Sequence, residues 1–135
     1  MNETKAKSIN KKATKHSYKF LENMYLFFPT NGGQRSYIYF IACNIDKHKE
    51  WRNRVKIGYS RDPKKRLEEL QIGNPVKLSM LYFFPVNEFQ AKRLEGELHR
   101  KFKFLNVSGE WFEIRWAIRE WVDNHKEMTK RKING

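Results

Sequence analysis

The sequence has a single cysteine, Cys43, among its 135 residues. One cysteine cannot close a disulfide within the chain, and it cannot supply the cysteine cluster of a structural zinc site. Its position in an apolar run predicts a small side chain in the protein core. The chain also lacks the apolar core of a signal peptide and any run of about 18 apolar residues. We therefore expect a soluble, intracellular protein without a membrane segment.

Acidic residues are scarce, since 15 Asp and Glu residues stand against 28 Lys and Arg residues, for a formal net charge of +13. An excess of this size is informative about partners rather than about the fold. Nucleic acid is the leading candidate, because Lys and Arg contacts to phosphates release counterions and supply most of the non-specific affinity. Charge alone leaves a ribosome-associated or simply basic protein as the alternative.

The chain shows no internal repeat, and its length fits one domain with a hydrophobic core. Residues 1–34 are predicted to form a basic N-terminal arm and a segment that packs on the domain. Residues 35–128 are predicted to form the folded domain, including a C-terminal helix. Residues 129–135 are predicted to form a basic tail.

Local patterns predict three strands and three helices. The strands are predicted over residues 35–44, 55–59 and 76–86, where β-branched and aromatic residues recur. Helices are predicted to begin at Asp62-Pro63 and at Asn87, because Asp and Asn cap helices and proline fits the first helical position. The last helix is predicted from an apolar stripe at helical spacing: Ile114, Ala117, Ile118, Trp121 and Val122.

The order of these elements, ββαβα followed by a helix, predicts an α/β fold. We expect a small three-stranded sheet, mixed or antiparallel, with helices flanking it and the basic N-terminal arm preceding it. Residues 105–110, between the last two helices, are predicted to form a loop.

Several short motifs follow one another in a characteristic order. They are Tyr37-Ile38-Tyr39, Lys56-Ile57-Gly58, Arg66, Glu95 with His99 four residues later, and Gly109-Glu110-Trp111-Phe112. In this order and spacing they resemble the GIY-YIG endonuclease superfamily, and in particular its compact phage-type branch. The resemblance covers roughly residues 36–112.

The sequence departs from the family's pattern at three places. Tyr37 stands where the first motif usually has glycine, which is a common variation in this branch. Lys56 replaces the first tyrosine of the second motif, and superfamily members with that lysine are known as active nucleases. For the asparagine that many members carry near the end of the domain, Asn106 is a candidate.

The resemblance implies a metal-dependent DNA endonuclease that hydrolyses phosphodiester bonds with one metal ion, Mg²⁺, or Mn²⁺ in its place. The implied partner is DNA, duplex or branched, bound mainly through phosphate contacts. With one active site per chain, such an enzyme would nick one strand, or cut two as a dimer. Members of this family also suggest a prokaryotic cytoplasm or a phage-encoded protein as the setting.

Tyr39 matches the family's catalytic tyrosine, whose phenol would activate or orient the attacking water. A free phenol has a pKa near 10, so it needs a nearby cation to act as a base. Lys56, on the neighbouring strand, is expected to supply that charge by stabilising the phenolate or relaying its proton. Without the other motifs, the two residues would be interpreted as an ordinary strand aromatic and an exposed strand lysine.

Arg66 matches the family's arginine, which would bind a non-bridging phosphate oxygen and neutralise charge in the transition state. Glu95 matches the metal-binding glutamate, and one carboxylate suffices because Mg²⁺ keeps waters and phosphate oxygens as its other ligands. The alternatives are an ordinary surface arginine and a solvent-facing helix glutamate.

Three further residues are candidates for supporting roles in the site. His99 lies one helical turn after Glu95 and would support the metal or phosphate, or make a structural hydrogen bond. Tyr37 projects to the same side of its strand as Tyr39 and is the second candidate for the catalytic tyrosine. Tyr59 follows the second motif and would either bond a phosphate oxygen or pack in the core.

Six residues are predicted to contact nucleic acid: Arg61, Lys64 and Lys65 near the first helix, and Lys49, Trp51 and Arg52 in a charged loop. An exposed aromatic between basic residues can stack on or wedge between bases. The alternatives are a solvated basic face and a tryptophan packed under its loop.

Two functions from other classes remain open on the sequence. A catalytically weak nucleic-acid-binding module could keep the same fold, although such a module is expected to lose at least one of Tyr39, Arg66 and Glu95. A structured-RNA or translation-associated protein is favoured only by the charge.

Overall fold

A computed structural model of the chain describes residues 34–43 and 53–134, with side chains through residue 131. The predicted N-terminal arm and packing segment lie outside the described residues. The same is true of the charged loop that contains Lys49, Trp51 and Arg52.

The described residues form five strands, three α-helices and one 3₁₀ turn. In chain order they are β1 (Arg35–Cys43), β2 (Arg54–Ser60), α1 (Pro63–Gln71), β3 (Leu78–Asn87), α2 (Glu88–Lys101), the 3₁₀ turn (Lys103–Leu105), β4 (Asn106–Ser108), β5 (Trp111–Glu113) and α3 (Trp116–Asn134).

The sheet has five strands in the order β3-β1-β2-β5-β4, and every neighbouring pair is antiparallel. The α/β class is confirmed, but the prediction of three strands is wrong. The two additional strands form a hairpin that includes most of the predicted loop. Gly109 makes its turn possible, because its φ of +53° lies in the left-handed region that glycine adopts without strain.

The first two helices begin where their capping residues predict. The Asp62 carboxylate accepts a hydrogen bond from the Lys65 backbone N–H (3.1 Å), and Pro63 is the first helical residue. The Asn87 side-chain oxygen accepts a hydrogen bond from the Phe89 backbone N–H (2.9 Å). Both side chains satisfy N–H groups that the helix leaves without partners.

The third helix packs on one face of the sheet through its predicted stripe. Ile118 and Val122 are buried, and the Trp121 ring stacks on Phe40 with a centroid distance of 5.6 Å. The helix continues to Asn134, past residue 128, and the buried Thr129 hydroxyl donates a hydrogen bond to the His125 carbonyl oxygen (2.7 Å). Residues 129–134 are therefore part of this helix.

The register between β1 and β2 separates the side chains of two consecutive β1 residues. Tyr39 pairs with Gly58, and Phe40 pairs with Ile57. Because paired residues share a face and successive residues alternate, Tyr39 and Gly58 lie on one face and Phe40 and Ile57 on the other.

Among residues 34–43 and 53–134, no helix combines the length and the apolar character needed to cross a membrane.

Candidate functional site

The centre of the candidate site is Tyr39, which lies in the middle of β1 and is only 1% exposed. Its side chain passes over Gly58 on β2. A Cβ atom added to Gly58 would lie 2.4 Å from the Tyr39 hydroxyl oxygen, well inside van der Waals contact. The glycine of the second motif therefore makes the space that the tyrosine of the first motif occupies.

The environment of Tyr39 keeps its phenol protonated at neutral pH. Burial is the largest influence and raises the pKa, while a hydrogen bond and the positive charge of Arg66 lower it. The negative charges of Glu110 and Glu95 raise the pKa further, and the net shift is upward. The cation at the phenol is thus Arg66, whereas the sequence analysis expected Lys56 in that place.

Arg66 lies on α1, and it keeps an exposed side chain although it hydrogen-bonds the buried Tyr39. Its side chain is 44% exposed, and its other partner is Glu69, with 3.5 Å between Nη1 and Oε2. The hydrogen bond to Tyr39 raises the pKa of the guanidinium, so the group stays charged. The chain therefore places a solvent-accessible guanidinium in hydrogen-bond contact with the buried phenol.

Lys56 forms an ion pair with Glu110, which lies in the turn directly before β5. The Lys56 side chain is 11% exposed and the Glu110 side chain 41% exposed. The ammonium nitrogen also lies 6.0 Å from the centre of the Trp111 ring, at the limit of a cation–π contact. Glu110 was not predicted as a site residue, because the sequence analysis interpreted its motif only as the closing segment of the domain.

Glu95, on α2, is a carboxylate in surroundings that oppose its charge. Burial raises its pKa most, and the negative charge of Glu110 raises it further. The positive charges of His99, Lys56 and Lys92 lower the pKa without cancelling the shift. A bound cation would offset this unfavourable desolvation and repulsion and favour the ionised carboxylate.

The residues around Glu95 fit a magnesium ion better than a metal held only by protein ligands. The described part of the chain contains no cluster of three or more His, Cys, Asp or Glu residues that could enclose a metal. Magnesium is commonly bound by one or two carboxylates, with waters and phosphate oxygens completing its shell. The structure is therefore consistent with Glu95 as the protein ligand and a phosphate-bearing substrate as a second one.

His99 anchors α2 to the edge of β2. Its Nε2 lies 2.8 Å from the Ile57 carbonyl oxygen, so the ring donates that hydrogen bond from Nε2. The same nitrogen is 3.9 Å from the Glu95 carboxylate, and the ring packs on Phe112 with a centroid distance of 5.0 Å. These contacts match the structural hydrogen bond that the sequence analysis gave as one alternative.

The other two predicted tyrosines differ in their relation to the site. Tyr37 shares a face with Tyr39, accepts a hydrogen bond from Arg35 (3.0 Å) and packs edge-on against Phe83. Tyr59 pairs with Ile38, so it projects from the face opposite to Tyr39. The structure does not bring Tyr59 together with Tyr39.

Three predicted nucleic-acid contacts surround Arg66 on the surface. Arg61, Lys64 and Lys65 are all exposed, at or just before the first turn of α1. Arg61 forms an ion pair with Glu88, which ties the start of α1 to the start of α2. The lysines leave a basic surface next to the exposed guanidinium of Arg66.

Asn106, the candidate for the family asparagine, has a structural environment within the hairpin. Its side-chain amide donates hydrogen bonds to the carbonyl oxygens of Gly109 (2.9 Å) and Trp111 (3.1 Å). These two residues flank Glu110, so Asn106 holds the backbone on both sides of the carboxylate that meets Lys56.

The comparison with family models gives one finding. The model of the T5orf172 domain matches residues 36–130, which include the whole sheet except Arg35, together with Tyr39, Lys56, Arg66 and Glu95. The chain has no significant match among curated proteins or among solved structures. Because the matched segment covers most of the sequence, the chain belongs to the T5orf172 domain family.

Proposed function

We propose that this protein is a metal-dependent DNA endonuclease that hydrolyses phosphodiester bonds at a GIY-YIG type of site. The observation that carries the proposal is the convergence of four side chains from four elements on one place. They are Tyr39 from β1, Lys56 from β2, Arg66 from α1 and Glu95 from α2. Together they can neutralise the charge of a phosphate, orient a water molecule and hold a metal ion, which are the tasks of metal-dependent phosphodiester hydrolysis.

Arg66 would bind the scissile phosphate. Its guanidinium presents several N–H donors in a planar fork, which suits the non-bridging oxygens of a phosphate. Since Arg66 is exposed and hydrogen-bonds the buried Tyr39 hydroxyl, its movement onto a phosphate would also free the phenol from that hydrogen bond. Binding of the phosphate would then free the Tyr39 hydroxyl for the attacking water at the same time.

Tyr39 would orient the attacking water. Because its pKa is raised, the phenol carries its proton in the substrate-free site and can hydrogen-bond the water without being charged. Arg66 is the cation placed to favour its ionisation as the reaction proceeds, and Lys56 adds positive charge beside Glu95. The phenol would first release its own proton to solvent, and the resulting phenolate would then take the proton of the attacking water.

Glu95 would hold the divalent metal ion, Mg²⁺ or Mn²⁺. A bound ion supplies charge neutralisation at the scissile phosphate and at the leaving oxygen. The hydrogen bond of His99 to β2 keeps α2, and with it Glu95, at a fixed distance from the sheet. His99 therefore supports the carboxylate without reaching the substrate.

The basic surface around Arg66 would bind the DNA backbone. Lys64 and Lys65 are exposed on the same helix, and the whole chain has a net charge of +13. Phosphate contacts of this kind position a nucleic acid without reading its sequence. We therefore propose binding that falls steeply with salt concentration and shows little sequence preference.

The experiment that tests this function is cleavage of a supercoiled plasmid at low salt, with Mg²⁺, Mn²⁺ or a chelator. Glu95→Gln is compared with the parent, and Glu97→Gln is the matched control, because Glu97 lies on the same helix and pairs only with the exposed Arg93 in the described contacts. We expect nicking or linearisation that requires metal, is lost in Glu95→Gln and is retained in Glu97→Gln.

Two outcomes would contradict the proposal. Cleavage that survives Glu95→Gln would reject the metal assignment. A parent protein that shifts DNA in a salt-dependent manner but cleaves neither duplex nor branched DNA would support the nucleic-acid-binding module. Repeating the assay with structured RNA distinguishes the translation-associated alternative.

A further inference from the structure

We propose that Glu110 is a positioning residue of the site, and that it holds the Lys56 ammonium group in place from the β4–β5 hairpin. This inference rests on the proposed nuclease function. Neither the family resemblance nor the sequence pattern assigns Glu110 a part in the chemistry. The assignment comes from the contact between two side chains that lie far apart in the sequence.

The ion pair joins the largely buried side chain of Lys56 to the Glu110 carboxylate on the neighbouring hairpin. Lys56 lies on β2 opposite Trp111 of β5, and Glu110 directly precedes Trp111. A lysine chain this buried has few conformations that keep its ammonium group solvated. The Glu110 carboxylate therefore decides where the charge of Lys56 is located.

The backbone around Glu110 is fixed on both sides. Asn106 donates to the carbonyl oxygens of Gly109 and Trp111, the residues before and after Glu110. The Glu110 carbonyl oxygen itself accepts a hydrogen bond from the Ile57 backbone N–H (3.1 Å). A carboxylate held by its backbone in this way can hold its partner with little freedom.

Glu110 also belongs electrostatically to the site. Its negative charge acts on both the Tyr39 phenol and the Glu95 carboxylate, while the positive charge of Lys56 acts on Glu95. Because the contact of Glu110 is with Lys56, we assign its effect on the reaction to the position of that lysine. A direct role as a second metal ligand is the competing explanation that the experiment must separate.

The test measures single-turnover cleavage of a supercoiled plasmid by the full chain with Mg²⁺. The variants are Glu110→Gln, Glu110→Asp, Lys56→Met and the double variant Lys56→Met/Glu110→Gln. Glu95→Asp is the reference for a weakened metal ligand. Glu113→Gln is the matched control, because Glu113 lies on the same hairpin but pairs with Arg115 (2.9 Å). DNA affinity is measured in chelator, and the half-maximal Mg²⁺ concentration is measured for each active variant.

We expect Glu110→Gln to lower the rate at saturating DNA by about tenfold or more, since small misplacements of reacting groups are costly. DNA affinity and the half-maximal Mg²⁺ concentration should stay within about twofold of the parent. Glu110→Asp should recover part of the rate. In the Lys56→Met background the Glu110→Gln change should add no further loss, because the two residues act as one unit.

Three results would overturn the assignment. The first is an active parent protein and a Glu110→Gln variant with the same cleavage rate. The second is a double variant in which the rate loss of Glu110→Gln adds fully to the rate loss of Lys56→Met. The third is a half-maximal Mg²⁺ concentration that rises as strongly as in Glu95→Asp, which would make Glu110 a metal ligand instead. A parent that cleaves no DNA would reject the proposed function itself, so the two failures are distinguishable.

Discussion

Two tyrosines of the same sheet show how the environment of the proposed reaction centre differs from a structural one. Tyr39 on β1 and Tyr82 on β3 are each 1% exposed, and burial raises the pKa of both phenols. They lie on opposite faces, because Phe40, the neighbour of Tyr39, is the residue that pairs with Tyr82. Burial and a raised pKa are therefore common to the two regions.

The difference lies in the groups around each phenol. Tyr39 is approached by the guanidinium of Arg66 and by the carboxylates of Glu95 and Glu110. Tyr82 hydrogen-bonds His125 Nδ1 (2.7 Å) and packs against the Phe84 ring, in a cluster of aromatic side chains under α3. A perturbed pKa alone does not mark a candidate site, whereas several opposed charges around one buried hydroxyl do.

The largest expected effect comes from removing each hydroxyl in turn. Tyr39→Phe should lower the single-turnover cleavage rate by about 10³-fold, the range that a proton-handling group contributes. Tyr82→Phe should leave the rate within about threefold and lower the free energy of unfolding by about 1 kcal/mol, through the lost hydrogen bond. Plasmid cleavage and urea unfolding of the two variants measure both effects. Equal losses of rate would contradict the distinction between the two faces.

An intermediate effect is expected where the backbone makes room for Tyr39. Gly58→Ala would place a methyl group 2.4 Å from the Tyr39 hydroxyl oxygen, so the phenol must move. We expect the cleavage rate to fall by about 10²-fold. The matched control is Gly96→Ala on α2, whose Cβ would meet only the Arg100 side chain at 3.4 Å.

Gly96→Ala should keep the rate and raise the free energy of unfolding by up to about 1 kcal/mol, because alanine favours the helix. Cleavage assays and thermal melts of the two variants test this pair. A fully active Gly58→Ala variant would show that the position of the Tyr39 phenol is not critical.

The smallest expected effect is on stability, and it concerns the Glu95 carboxylate in the Tyr39 region. Glu95 has a raised pKa in the folded chain, so the folded state binds its proton more tightly than the unfolded state. The stability that depends on this proton is complete below the unfolded pKa and is lost as the pH rises through the folded pKa. The ionised Glu95 therefore destabilises the protein at neutral pH.

Glu95→Gln should accordingly raise Tm at pH 7 in metal-free buffer, and the difference from the parent should disappear as the pH falls through the ordinary carboxyl range. Each kcal/mol corresponds to about 4–8 °C in Tm for a domain near this size. Glu97→Gln is again the control and should show no such pH-dependent gain. A Glu95→Gln variant that melts below the parent at pH 7 would contradict the idea that this carboxylate is kept for function at a cost in stability.

Sequence patterns predict those parts of this fold that depend on neighbours in the chain. The caps of α1 and α2 are local, since Asp62 and Asn87 each bond an N–H two or three residues ahead. The period of two in β1 correctly places Tyr37 and Tyr39 on one face. Applied to β2, the same period places Tyr59 on the face opposite to Lys56 and Gly58, which agrees with its pairing with Ile38.

The parts that the sequence does not predict depend on distant contacts. β4 and β5 have three residues each, too few to show an alternating pattern, and they exist because they pair with each other and with β2. The Lys56–Glu110 ion pair joins residues 54 positions apart. The Arg66 guanidinium reaches Tyr39 because α1 packs against the strands, a contact between residues that the sequence pattern does not relate.

The measurement that tests the central claim most directly is single-turnover cleavage of one DNA duplex with Mg²⁺ by Arg66→Ala and Lys65→Ala. The two residues are adjacent on α1, both are exposed, and each substitution removes one positive charge. The account predicts a similar loss of DNA affinity in both variants, but a fall in rate at saturating DNA of about 10³-fold only in Arg66→Ala. Equal rates for the two variants, or a parent that does not cleave the duplex, would contradict the assignment of the cluster around Tyr39 as the reaction centre.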